Sequence, residues 1–354
     1  MCANKIVRSD TKKEAEVIPA EKLMKIESKS TETIINISEL PGIGPSTAKK
    51  LEEVGYSTIM ALAVASIADL AAVSGLGEKT VAKIIQAAQN NLNLTFNDAA
   101  TLLDQRLSAI KLTTSSAALD ELFRGGIESG GITEFAGEYR TGKTQIAHQL
   151  CVNVFLPVEK GGFRDTNEPP PRVIYIDSEG TFRPERIVQM LSAYPELDPN
   201  EVLTNIQVAR AYNSDHQIVL ANQVFREGQD LTKGKIGLLV VDSLTSHFRA
   251  EYIGRGTLAT RQQKLNKHVH ELLRIAEVLN IPVIVTNQVH AKPDMFFGDP
   301  NVPIGGHVVA HACTTRVYLR KGKGTRRIIR ILDSPLLPES ESLFVISETG
   351  IIDA

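Results

Sequence analysis

Eight consecutive residues hold the most specific chemistry in this chain: Gly137-Glu138-Tyr139-Arg140-Thr141-Gly142-Lys143-Thr144. The spacing is that of a phosphate-binding loop, in which backbone N–H groups and a helix N-terminus converge on the phosphates of a nucleotide. In such a loop Lys143 reaches the β- and γ-phosphates and the Thr144 hydroxyl binds Mg²⁺. The apolar run 132–136 predicts the strand that enters the loop. Residues 145–155, with Ile146, Leu150 and Val154 on one stripe, predict the helix that leaves it. Strand, loop and helix in this order mark a nucleoside triphosphate site.

Groups at other strand ends could complete that site. Leu238-Leu239-Val240-Val241-Asp242 is an apolar strand closed by an acid, the arrangement that holds Mg²⁺, usually through water, in phosphate-loop enzymes. Glu179 stands just past the strand Ile174-Tyr175-Ile176-Asp177, where a carboxylate orients or deprotonates an attacking water. Its alternative is a structural ion pair with Arg183. Gln288, at the end of Thr286-Asn287-Gln288, is either a hydrogen-bonding sensor of a γ-phosphate or a plain surface amide. A structural metal has little support: His268 and His270 diverge on a helix, His307 and His311 lack nearby acids, and Cys2, Cys151 and Cys313 are scattered.

For these groups to meet, their strands must lie side by side. The apolar segments 132–136, 173–177, 237–242 and 281–286 alternate with helices. That pattern predicts an α/β core with a mostly parallel sheet, and it puts Asp177, Asp242 and Asn287 at the carboxyl edge, where ligands bind. Residues 314–321, the turn Gly322-Lys323-Gly324 and residues 325–332 read as a basic β-hairpin.

Before the core, Leu40-Pro41-Gly42-Ile43-Gly44 and Val73-Ser74-Gly75-Leu76-Gly77 each precede a helix and repeat at 33 residues. This is the helix–hairpin–helix pattern, whose glycines let the backbone approach a phosphate; a module used only for protein contacts is the alternative. The expected division is a disordered tail over 1–32, the helical unit over 33–92, a linker over 93–111 and the core over 112–354.

With 354 residues, 42% hydrophobic and 23% charged, the chain can bury a sizeable core. No apolar run approaches a membrane span and no signal-peptide segment opens the sequence, so a cytoplasmic location is expected. The net charge of −2 confines nucleic-acid binding to local clusters. Arg249, Arg255, Arg261, Lys264 and Lys267 form one. The other is the acid-free stretch 300–332, with Arg316, Arg320, Lys321, Lys323, Arg326, Arg327 and Arg330.

Four stretches together resemble the RecA-fold strand-exchange recombinases, in the branch of archaeal RadA and its eukaryotic counterparts. They are the phosphate loop with Gln145, the run from Tyr175 through Glu179 to Arg186, Ala209-Arg210-Ala211-Tyr212-Asn213-Ser214-Asp215, and Asp333-Ser334-Pro335-Leu336-Leu337-Pro338. The resemblance covers nearly everything from Leu40 to Asp353. It implies an ATPase that forms a helical filament on single-stranded DNA, with a ring as the other self-assembled form, also pairs with double-stranded DNA, and works at the nucleoid. It further implies that Glu179 activates water, that Gln288 couples the γ-phosphate to the DNA loops, and that Arg186 lies against the adenine. Asp333 to Pro338 would cap ATP from the adjacent protomer. Arg249, Arg255, Arg261 and Lys264 would serve a first DNA loop, and 289–308, with Met295, Phe296 and Phe297, a second. Phe96-Asn97-Asp98-Ala99 matches the Phe-x-x-Ala motif by which one subunit docks on the next, through Phe96 and Ala99 as anchors. Arg140 departs from the glycine expected in the archaeal loop and bears on lineage rather than activity.

Three other readings compete. A non-catalytic paralogue acting as a mediator would share the fold. A small-molecule kinase would leave the glycine-turn repeats and basic stretches without a role. A hexameric helicase would not need the Phe96–Ala99 linker motif.

Overall fold

The computed structural model describes residues 36–92, 96–107, 109–230, 234–291 and 301–354, the side chain of Arg255 excepted. The expected tail, together with Met295, Phe296 and Phe297, lies outside the described residues.

The N-terminal unit contains α1 (Pro45–Glu53), α2 (Ile59–Ala63), α3 (Ile67–Ser74) and α4 (Glu78–Asn91). Helix α4 buries Val81, Ile84, Ile85 and Ala88, a single stripe at helical spacing. Thr58 and Ser66 accept hydrogen bonds from the first turns of α2 and α3, and Gly75 ends α3 with a φ of +67° that favours glycine. The following linker region carries α5 (Ala99–Leu107), β1 (Lys111–Leu112), α6 (Ala117–Leu122) and β2 (Ile127–Glu128).

The core then runs β3 (Ile132–Gly137), α7 (Lys143–Asn153), β4 (Arg172–Asp177), α8 (Pro184–Leu191), α9 (Pro199–Asn205) and β5 (Ile206–Arg210). It continues with α10 (Ser214–Glu227), β6 (Ile236–Asp242), α11 (Ser246–Glu251), α12 (Leu258–Leu279) and β7 (Val283–Asn287). A small antiparallel ribbon, β8 (Val289–Ala291) and β9 (Asn301–Pro303), leads to α13 (Gly306–Ala312). The chain closes with β10 (Thr315–Lys321), β11 (Arg326–Asp333), β12 (Glu341–Ser347) and β13 (Gly350–Asp353).

One nine-stranded sheet has the order β13-β12-β11-β10-β3-β7-β6-β4-β5. From β10 to β5 every neighbouring pair is parallel, whereas β10 to β13 form an antiparallel meander. Every residue of β3, β4, β6 and β7 is buried, which explains why they are mostly apolar; the buried Glu134 within β3 is neutralised by Arg316. Alternation along β4 sends Val173 and Tyr175 into the core layer that holds α7, and Ile174 and Ile176 into the layer that holds α10 and α12.

The N-terminal unit packs on this second layer. Gln229 donates to the Gly55 carbonyl at 2.7 Å and accepts from the Ser57 N–H at 3.1 Å, while Tyr56 meets Phe225 edge to face at 5.8 Å. No helix among the described residues is long and apolar enough to cross a membrane.

Candidate nucleotide site

The carboxyl ends of β3, β4, β6 and β7 meet around one cleft of about 880 Å³. Its wall is the phosphate loop, residues 137–144, with Gln145, Glu179, Thr181, Asp242, Gln288, Asn301, Arg327 and Ile346 around it. Gly142 has a φ of +110° and caps the start of α7, so its backbone takes a turn that a side chain would resist. Arg140 adopts a φ of +62° in the same loop, and its guanidinium lies 5.3 Å from the Tyr139 ring centroid. The Lys143 ammonium donates to the carbonyls of Gly137 at 2.9 Å and Glu138 at 2.8 Å, spanning the loop it belongs to. Burial lowers the Lys143 pKa, an effect opposed by Asp242, Glu179 and Glu138.

Asp242 is the polar centre of the site. One of its oxygens accepts from Thr144 Oγ1 at 2.8 Å and from the Tyr175 hydroxyl at 2.7 Å, with Thr181 Oγ1 at 3.4 Å; the other accepts from the Thr286 hydroxyl. The Tyr175 hydroxyl is pushed well above its ordinary pKa, first by burial and then by the Asp242 charge, so it stays a donor. This cluster of hydroxyl and carboxylate oxygens is the hard donor set that suits Mg²⁺.

Glu179 accepts from Ser243 Oγ at 2.8 Å and from Gln288 Nε2 at 2.9 Å, which joins two residues expected from separate strand ends. Arg183 does not pair with it; that guanidinium donates to the carbonyls of Gly180 and Phe182 instead. The loop carrying Glu179 is folded around Asp177. Its carboxylate accepts the N–H groups of Glu179, Gly180 and Thr181 at 3.1, 2.6 and 3.2 Å, and that of Phe182 at 3.2 Å. Arg210 pairs with the same carboxylate at 3.3 Å. Asp177, expected at the ligand edge, is therefore turned inward as the organiser of the Glu179 loop.

His148 braces the loop from the other side. Its Nε2 accepts the Arg183 N–H at 3.1 Å, which makes Nδ1 the donor to the Thr144 carbonyl at 2.7 Å. The ring also stacks on Phe182 at 4.9 Å. Neither His148 nor Tyr175 was read as a site residue from sequence. The available signal was a phenol on a fully buried strand, since a buried hydroxyl needs a partner. Beneath Gln288, Asn287 donates to the buried Glu134 at 2.6 Å and to the Ile304 carbonyl at 2.6 Å, and Arg316 pairs with Glu134 at 2.5 Å. The network anchors the strand that carries Gln288 to the end of the β8–β9 ribbon.

The remaining expected residues fall elsewhere. The Arg186 guanidinium donates to Gln145 at 2.7 Å and to the carbonyls of Ser347 and Glu348 at 2.6 and 2.5 Å, which fixes it beside the cleft rather than in its lining. Asp333 is exposed at the far end of β11, away from the cleft. Arg249 is exposed on α11, and Arg261 is half-buried near the start of α12. Lys264 is already engaged: it pairs with Asp215 at 2.8 Å and lies 5.3 Å from the Tyr252 ring centroid. Phe96 is 104% exposed and Ala99 is exposed, and α5, which starts at Ala99, buries none of its described residues. The basic hairpin is not one patch either, because Arg316, Arg320 and Arg330 pair with Glu134, Glu341 and Glu339.

Parallel strands, phosphate loop and Asp242–Thr144 pair together define a P-loop nucleotide-binding protein. The family model described as Rad51 matches residues 105–354, and a SAM-like helix-hairpin-helix tandem matches residues 34–90. The DNA repair and recombination protein RadA of Ignicoccus hospitalis (strain KIN4/I / DSM 18386 / JCM 14125) is 50% identical over 318 residues, which are 90% of this chain and 95% of that protein. The chain belongs to the Rad51 family, with a RecA-like α/β core that follows an all-α helix–hairpin–helix domain.

Proposed function

We propose that this chain assembles as an ATP-dependent filament on single-stranded DNA and catalyses homologous pairing and strand exchange with double-stranded DNA. Family membership makes it a recombinase of DNA repair and homologous recombination and a DNA-dependent ATPase; the filament, ATP with Mg²⁺, the residue roles and work at the nucleoid in the cytoplasm are the proposal. The observation that carries it is the convergence of Lys143, Thr144, Asp242, Glu179 and Gln288 on one cleft.

Each residue acts through its geometry. The loop amides and Lys143 hold the triphosphate. Thr144 and Asp242 would hold Mg²⁺, which neutralises charge between the phosphates. Glu179, kept in place by Ser243 and by its loop around Asp177, orients and deprotonates the attacking water. The Gln288 amide, bonded to Glu179 and set at the base of the β8–β9 ribbon, would link the γ-phosphate position to that ribbon. That link gives DNA a route to influence hydrolysis.

Self-assembly is supported by the exposure of Phe96 together with a cavity of about 130 Å³ whose apolar wall is Ile174, Ile176, Val208, Ala209, Leu220 and Val224, with Gln207, Gln223 and Glu227 beside it. The cavity lies beside the edge strand β5, and an aromatic anchor from a neighbour's linker suits it. Phe96 and Ala99 are assigned to that docking. In the filament, Asp333 to Pro338 would cap ATP bound to the adjacent subunit, and Arg186, fixed next to Gln145, would flank the adenine. Arg249, Arg255, Arg261 and Lys264 are assigned to DNA.

Electron microscopy of the full chain with single-stranded DNA and a non-hydrolysable ATP analogue tests this. Helical filaments are expected, and isolated monomers would overturn the reading. A non-catalytic mediator would bind DNA without turning over ATP.

A further inference from the structure

We infer that Arg327 is a nucleotide-binding residue of the cleft, placed to hold the ligand at its α-phosphate and ribose end. The inference rests on the reading of the cleft as an ATP site. Strand alternation separates Arg327 from the other cations of the acid-free stretch. Along β11 it shares a face with Ile329 and Ile331, both buried in the core layer that holds α7, whereas Arg326 and Arg330 are exposed. On this inner face its register partner is Phe344. Phe344 and Ile346 lie against Gly142, where an added Cβ would come within 2.8 Å of Ile346. Arg327 and Ile346 line the cleft with the phosphate loop.

The guanidinium has unused capacity. Its Nη1 donates to the carbonyls of Thr325 and Arg326, both at 3.1 Å, and its Nε is buried with no hydrogen-bond partner. No ion pair engages it among the described residues. A permanent cation that lines the cleft with no carboxylate to balance it is what a phosphate or ribose oxygen bound there would compensate.

Sheet order decides which end of the ligand it meets. Glu179, Asp242 and Gln288 stand at the carboxyl ends of β4, β6 and β7, all on one side of β3, and they mark the hydrolytic end. The start of β11 and the end of β12 lie on the other side, beyond β10. A nucleotide with its γ-phosphate at Glu179 therefore extends its α-phosphate and sugar toward Arg327 and Ile346.

Calorimetric titration of the full chain and of Arg327→Ala with ATP and with ADP decides the matter, with thermal unfolding as the check on folding. A lost charged hydrogen bond in a shielded site weakens binding by about tenfold or more. Both nucleotides should weaken by about that factor, because both carry the α-phosphate and ribose. Arg327→Lys should recover only part of the loss, since it keeps the charge without the fork. If the alanine variant does not fold, Arg327→Gln is held to the same criteria. Unchanged affinities in a folded variant overturn the inference and leave the ATP reading intact. Weakening of ATP alone would put Arg327 at the γ-phosphate and overturn its placement. Wild-type protein that binds neither nucleotide overturns both readings.

Discussion

The nucleotide cleft and the segment around Phe96 differ in how much of their surroundings the chain itself supplies. In the cleft, each reactive group is held by another part of the same chain: Asp242 by Thr144, Tyr175 and Thr286, Glu179 by Ser243 and Gln288. Phe96, by contrast, is 104% exposed, and the helix after it presents Leu102, Leu103 and Leu107 to solvent. The cleft is preorganised, as catalysis in a polar site requires. The linker presents apolar surface that would gain free energy on being covered. One region can thus be damaged without loss of the other.

The largest separation should come from Glu179→Gln. Water activation is lost while the loop and its backbone contacts remain, so DNA-stimulated ATP turnover should fall by about 10²–10⁴ with ATP affinity retained. Steady-state ATPase assays beside nucleotide titration check this, and comparable turnover in variant and wild type removes Glu179 from the role. Lys143→Ala should instead abolish productive ATP binding, because the triphosphate loses its main point charge.

Disruption at the other region should leave the cleft intact. Phe96→Ala with Ala99→Glu should weaken self-association by about 2–4 kcal/mol, as expected for a buried aromatic anchor, and leave a folded protein that still binds ATP. Light scattering reads the assembly. If the double variant assembles like wild type, these residues belong to no subunit contact.

The residues assigned to DNA in the proposal fall between the two extremes. Arg249→Ala and Arg261→Ala should each weaken single-stranded DNA binding irrespective of sequence and reduce the salt slope by about 0.7. Lys264→Ala should do less, because Asp215 already balances that charge. Affinity measured across a salt series distinguishes them, and an equal loss for all three would refute the distinction.

The smallest effect is on stability. His268 is buried, which depresses its pKa from 6.5 to about 4. Above pH 6.5 the ring is neutral in both folded and unfolded chains and makes no pH-dependent contribution. As the pH falls from 6.5 toward 4 the unfolded chain takes up a proton that the folded chain refuses, so stability falls. His268→Leu should remove this part of the acid sensitivity, measured by urea unfolding at pH 7.5, 6 and 5. A variant as acid-sensitive as wild type between those values would show that other groups account for the loss.

Much of the site was legible because its parts are local. The phosphate loop is contiguous, and the strand ends at Asp242 and Glu179 follow from apolar runs that stop at an acid. Buried parallel strands are mostly apolar, so their positions could be read to within a residue or two. The C-terminal strands β12 and β13 were not read, because their mixed exposed and half-buried pattern lacks that signature.

By itself, the sequence determined a nucleotide loop, a sheet with acids at one edge and two glycine-turned hairpins, since each depends on neighbours a few positions away. Only the tertiary structure decided partnerships across long separations. It turned Asp177 inward to hold the Glu179 loop, matched Lys264 with Asp215, fixed Arg186 to the end of β12 and set Arg327 at the cleft with no ion-pair partner among the described residues. The physical reason is that a charge acquires its role from what lies within hydrogen-bonding distance, and here strand order and strand alternation set that distance.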